Sequence, residues 1–222
     1  MKNISAHAKA AIGAVFIMAA AMPAQADVKV SYSDTLEKYH SALDRVELGR
    51  EETFRKFRTD RGRGASIRPR DYINKSRFSG TEWGNERAIP EIENFSVDNL
   101  IVAMFERGIH AAKPDFDGDI LVHVDHLRVR NHSVSILSSF NTFMEGTVTL
   151  LDADGKVVAK EKVKAYPTRN FTVSRSYKGS EYAYRTGSLN TRVGPIFANF
   201  SEAALEKLFP EYDAPGFILV ED

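Results

Sequence analysis

The sequence predicts an α+β fold: an antiparallel meander of three to five strands, covered on one face by two or three helices. Three observations carry this. Residues 97–112, and again 194–209, place apolar side chains three and four positions apart, the spacing of an amphipathic helix. Residues 119–165 alternate apolar and polar side chains, the period of a strand with one wet face. The tetrapeptide Asp152-Ala153-Asp154-Gly155 divides that stretch with a tight turn.

The elements follow in chain order. Val28, Val30 and Tyr32 alternate with Lys29 and Ser31, a short strand. Asp34 with Glu37 has the form of a capping box, with Asp34 as the cap. Leu36, Tyr39, His40, Leu43 and Val46 then share one face of a helix over 34–47. Residues 48–87 are crowded with arginine, glycine and polar groups, and are expected to be loop-rich with a little helix through Glu51 to Phe57. Ser96 caps a helix over 97–112 that buries Val97, Leu100, Ile101, Met104, Phe105 and Ile109.

Residues 119–130 begin with Ile120, Val122 and Val124 on one face, then Leu127 and Val129 on the other. A β-bulge near Asp125 accounts for the switch, because one extra residue turns over every later side chain. Among the even positions of the next stretch, Val134, Ile136, Phe140, Met144, Val148 and Leu150 are apolar. After the turn, Val157, Ala159, Val163 and Ala165 are expected to face in, and Lys156, Lys160, Lys162 and Lys164 out. Residues 167–191 form a polar connection bearing tyrosine and arginine. Gly194-Pro195 opens the last helix, Pro210 ends it, and Phe217–Val220 adds a short strand.

The first 26 residues have the three parts of a cleavable secretory signal peptide. Lys2 and Lys9 make a positive start without an acid. Ala10–Met22 is an apolar run of 13 residues, short of the roughly 20 that cross a bilayer. Ala24-Gln25-Ala26 supplies the small-x-small cleavage pattern. The expected working protein is therefore one extracytoplasmic domain over 27–222, periplasmic or secreted, with no transmembrane segment after cleavage. The chain has no cysteine. That excludes a lipid anchor at the cleavage point, thiolate metal sites and cysteine nucleophiles. Its 30 basic and 30 acidic residues give no global field for nucleic acid.

Glu82-Trp83-Gly84-Asn85-Glu86-Arg87 stands before a helix with Gly108 late in it. Ile120-Leu121-Val122-His123-Val124-Asp125 and the hairpin from Leu150 to Val158 follow. This succession resembles a family of small exported alphaproteobacterial proteins of unknown function, over about 80 residues from Trp83 to Lys164. The helix-plus-meander order is also similar in outline to envelope accessory domains of transport and curli-type assembly systems. Such likeness transfers no function, and neither resemblance brings a catalytic residue.

His123, Asp125 and His126 are the candidate metal or general-base residues, since imidazole and carboxylate suit both. On a regular strand His126 points away from the other two. Asp115, Asp117 and Asp119 depart from a calcium-loop spacing. The sequence has neither a G-x-S-x-G elbow nor a phosphate-cradling glycine loop. Two segments favour binding. Residues 50–77 hold ten Lys/Arg against four Asp/Glu. Residues 175–185 interleave tyrosine with cations, and tyrosine and arginine are apt for acidic partners. The candidate binding residues are Arg68, Arg70, Arg175, Tyr177, Tyr182 and Arg185. The expected function is non-enzymatic: an envelope protein that binds a protein partner or an anionic envelope component, without a cofactor. A metal-dependent hydrolase at His123 and Asp125, and a small-ligand carrier, are the alternatives.

Overall fold

The computed structural model describes residues 26–59, 81–129, 142–166, 171–173, 177–178, 182–185 and 192–221. The expected signal peptide before Ala26 and the alternation over 134–141 lie outside them, as do Arg68, Arg70 and Arg175. Among the described residues the chain is α+β, with two four-stranded sheets. The first contains β1 (Val28–Tyr32), β3 (Ile120–Arg128), β4 (Phe143–Leu151) and β5 (Val157–Ala165), side by side in that order. The second contains β2 (Glu82–Trp83), β7 (Tyr182–Arg185), β8 (Ile218–Glu221) and β6 (Phe171–Val173), in that order. The helices are α1 (Asp34–Thr59), α2 (Gly84–Ala88), α3 (Val97–Ala112) and α4 (Gly194–Leu208).

The meander β3-β4-β5 is antiparallel, but the sheet is mixed, because β1 pairs parallel to β3. Alternation along a strand fixes which side chains face the core; it says nothing about the direction of the neighbour. Parallel pairing needs a long crossover, and the chain between β1 and β3 supplies it through α1, α2 and α3. The bulge lies where the phase switch puts it. Val124 pairs with Gly146, and His126 with Glu145, so Asp125 is the extra residue. Ile120, Val122 and Val124 are buried before it, and Leu127 packs on the core after it. Gly155 closes the hairpin at φ 77°, in the left-handed region open to glycine. A second irregularity, between Leu150 and Leu151, shifts the register of β5. Val157 is therefore exposed, not inward, and Val163 and Ala165 supply the buried positions.

α3 has the predicted bounds and buries the six predicted residues. Ser96 caps it by accepting from Asn99 N at 3.0 Å. α4 begins at Gly194 with Pro195 in its first turn. α3 and α4 pack on each other and on the first sheet, with Phe105 edge-on to Phe200 at 6.3 Å. α1 starts one residue earlier than the capping pattern implies. The Ser33 carbonyl accepts the first helical bonds from Leu36 and Glu37, and Asp34 sits in the first turn.

α1 also runs 12 residues past the predicted end at 47, to Thr59. Its continuation carries Glu47, Glu51 and Phe54 at helical spacing, all buried. Glu47 bonds Arg192, Glu51 bonds Arg55 and Asn85, and Phe54 meets Trp83 edge-on at 5.2 Å. The buried face of this half is charged and aromatic, so composition alone reads it as solvated.

The second sheet replaces what the sequence reads as a connection over 167–191. All its described pairings are parallel. Its strands have two to four residues, and Ala183, Tyr184 and Arg185 are buried in succession. Strands buried on both faces lack the alternation that marks a half-wet strand. Tyr184, Phe217 and Leu219 join the main core on one side. Ala183 and Val220 join Phe54, Trp83 and Tyr177 on the other.

Candidate functional site

The most site-like feature is a cleft of about 320 Å³ between α3 and α4, completed by Arg87 and Ala88 of α2, Tyr182 of β7 and the segment at Tyr212 and Pro215. Ligand pockets run from roughly 300 to 1,000 Å³, so the space suits a small molecule. The two helices approach closely at Gly108, where a Cβ would overlap the Leu205 side chain of α4. The floor is apolar: Met104, Ala198 and Leu205.

The two walls differ in charge. Arg87, Arg107 and His110 stand on the α2 and α3 side. Arg107 Nη1 donates to the Arg87 carbonyl at 2.8 Å, and the Arg87 guanidinium lies over the Tyr182 ring at 5.1 Å. Ser201 and Glu202 stand on the α4 side. Ser201 Oγ donates to the Ala198 carbonyl one turn back. Burial pushes the Glu202 carboxyl up to about 7, and the nearby Glu206 adds to the effect. Tyr182 shares a 3.2 Å hydrogen bond with the Tyr184 hydroxyl, and burial raises its phenol as well.

A second cavity, of about 250 Å³, lies between α1 and the end of β3. Tyr32, His40, Leu127 and Arg192 are among its lining residues. Beside it the Tyr32 hydroxyl donates to Asp98 Oδ1, and His40 Nε2 meets the same oxygen at 2.8 Å. Burial first, then the bond to Asp98, pushes the Tyr32 phenol far above its ordinary range, so it stays a donor. The cluster ties β1 and α1 to the first turn of α3. Asp44 adds to the tie by accepting from Val97 N at 2.7 Å.

The sequence-derived candidates fall in different places. His123 Nε2 lies 3.6 Å from Asp125 Oδ1 on the outer face of the first sheet. His123 Nδ1 lies 3.0 Å from Ser31 Oγ on β1, and Thr147 donates to Asp125 at 3.4 Å. His126 is exposed opposite Glu145 and does not join them. Among the described residues no three His, Asp or Glu side chains converge to hold a metal. Tyr177 is buried against Phe54 and Trp83, and Arg185 is buried within β7. Arg185 is interior because it lies on a strand of the second sheet, and Tyr177 because it packs in the small core beside that sheet. Of the described binding candidates Tyr177, Tyr182 and Arg185, Tyr182 lines the cleft.

Sequence reasoning missed Arg87, Arg107 and Glu202, which stand on three different helices. It also missed Ser31, which only the parallel register of β1 on β3 brings to His123. Among the described residues no helix is long and apolar enough to cross a membrane. No family model, curated protein or solved structure matches the chain.

Proposed function

We propose that this chain is an exported, non-enzymatic binding protein of the cell envelope that holds a small ligand in the cleft between α3 and α4. The observation that carries the reading is the cleft's construction. An apolar floor lies between a wall with two guanidinium groups and a wall with a part-buried carboxyl. Polar groups converging on a small apolar space fix a ligand's orientation. Export is supported by the N-terminal sequence pattern. The arginines favour an anionic group on the ligand, in keeping with an anionic envelope component.

The test is to purify the mature protein from its native envelope fraction, denature it and analyse the released small molecules by mass spectrometry. One compound in near-stoichiometric amount is expected. Its absence, with protein that also binds nothing from an envelope small-molecule extract, refutes the reading.

A second reading has its own observation. Ser31, His123 and Asp125 form a hydroxyl–imidazole–carboxylate row with spacings of 3.0 and 3.6 Å, an arrangement able to activate a hydroxyl. A hydrolase using it would turn over an activated ester and lose that turnover in Ser31→Ala. A metal-dependent form would carry a stoichiometric transition metal that His123→Ala loses.

A further inference from the structure

We infer that the open outer face of the first sheet docks a linear acidic polysaccharide, held by Lys160 and Lys162 of β5 and Arg128 of β3 beside the ring of Tyr166. The inner face of this sheet packs on α3 and α4 through Val122, Met144 and Val148, so the surface is separate from the cleft. Alternation along β4 and β5 buries Met144, Val148 and Val163 and leaves Thr149, Lys160 and Lys162 on the other side. The register sets Lys160 beside Thr149, and Arg128 beside Phe143.

The carboxylates of this face are already engaged. Glu145 meets Lys164 at 3.1 Å, Asp119 meets Lys29 at 3.2 Å, and Asp125 lies against His123 and Thr147. Arg128, Lys160 and Lys162 are exposed, and among the described residues none of the three makes an ion pair. The face therefore carries an excess of positive charge. An aromatic ring stands with it. Tyr166 is 45% exposed, its ring leans on Phe143 with centroids 6.5 Å apart, and its carbonyl accepts from Asn199 Nδ2 at 2.5 Å. The ring is thus positioned before any ligand arrives.

Side chains two residues apart on a strand are about 6.6 Å apart. Lys160 and Lys162 lie in line along β5, and a polymer with repeated anionic groups meets them in turn. The Thr149 hydroxyl can bond ligand hydroxyls, and the negative face of an aromatic ring attracts the C–H side of a sugar. A folded protein fits less well, because protein interface cores are depleted of charge. A second copy fits worst, since two β5 edges side by side would set lysine against lysine. An exported chain meets acidic glycans in the envelope, which favours them over nucleic acid.

The test is calorimetric titration of the intact mature protein at physiological salt. The probes are polygalacturonate, alginate and dextran sulfate. The controls are neutral dextran, poly-L-glutamate, poly(dT) and phosphatidylglycerol vesicles. At least one acidic polysaccharide is expected to bind at least tenfold tighter than every control. The Lys160→Ala/Lys162→Ala double variant should lose at least tenfold for that polysaccharide. Tyr166→Ala should weaken it while leaving any residual binding of poly-L-glutamate unchanged. Equal binding of poly-L-glutamate, of poly(dT) or of the vesicles would overturn the inference, and these comparisons need no variant. Failure of all three polysaccharides, or full binding in a folded double variant, would overturn it too. None of these results bears on the cleft, whose ligand is read by release from the native protein.

Discussion

Arg192, just before α4, gives three hydrogen bonds to the fully buried carboxylate of Glu47 in the middle of α1. Its Nη2 and Nε meet Oε1 at 2.6 and 2.8 Å, and its backbone N meets Oε2 at 2.9 Å. The pair holds α1 to the segment that opens α4, and α4 is one wall of the cleft. Removing one member of a buried pair is costly, because the other charge stays desolvated. Glu47→Ala is expected to lower unfolding stability by about 3–5 kcal/mol. Urea denaturation followed by circular dichroism measures it, and a midpoint like that of the parent would contradict this role.

Glu202 makes stability depend on pH. Its carboxyl titrates near 7 in the folded chain and near the ordinary 4.5 when unfolded. Between those values the folded state binds more protons, so stability falls as pH rises through the window. The loss from pH 5 to pH 8 is on the order of 2 kcal/mol, below the fully buried limit because the side chain is partly exposed. Glu202→Gln should flatten this stretch of the profile and be the more stable protein at pH 8. Thermal melts at pH 5, 6, 7 and 8 on both proteins decide it.

Tyr32 is expected to matter for stability through Asp98. Replacing it with phenylalanine removes a hydrogen bond to a carboxylate and leaves His40 as that oxygen's remaining neighbour in the cluster. The cost is about 1.5–3 kcal/mol. Asp98→Asn should cost a similar amount and, combined with Tyr32→Phe, should add little. A double-mutant cycle by denaturation reads the coupling. Full additivity would mean that the two groups do not act together.

The sequence made legible what rests on local periodicity. The bounds of α3, the Ser96 cap, the Gly155 turn and the bulge at Asp125 all follow from spacing along one segment. The second sheet follows from no such signal. Its strands β7 and β8 carry buried residues in succession, and Arg185 and Tyr177 look like surface groups until that sheet is seen. The second half of α1 was legible only as a little helix through Glu51 to Phe57, and its continuity with the first half and its burial were not. Glu47 and Glu51 read as solvent-facing, yet each is buried with a cationic partner. The cleft was hidden by distance in sequence, since nothing local links Arg87, Arg107 and Glu202. Tyr182 was singled out as a binding residue, and it was singled out for a surface.

The most direct measurement is native mass spectrometry of the protein from its envelope fraction, comparing the parent with Ala111→Trp. Ala111 is an exposed residue at the cleft, so an indole there fills the space without entering the core. The account predicts that the parent carries a small molecule in most of its copies and that the variant, equally folded, carries none. Equal occupancy in both proteins would place the ligand elsewhere and contradict the central claim.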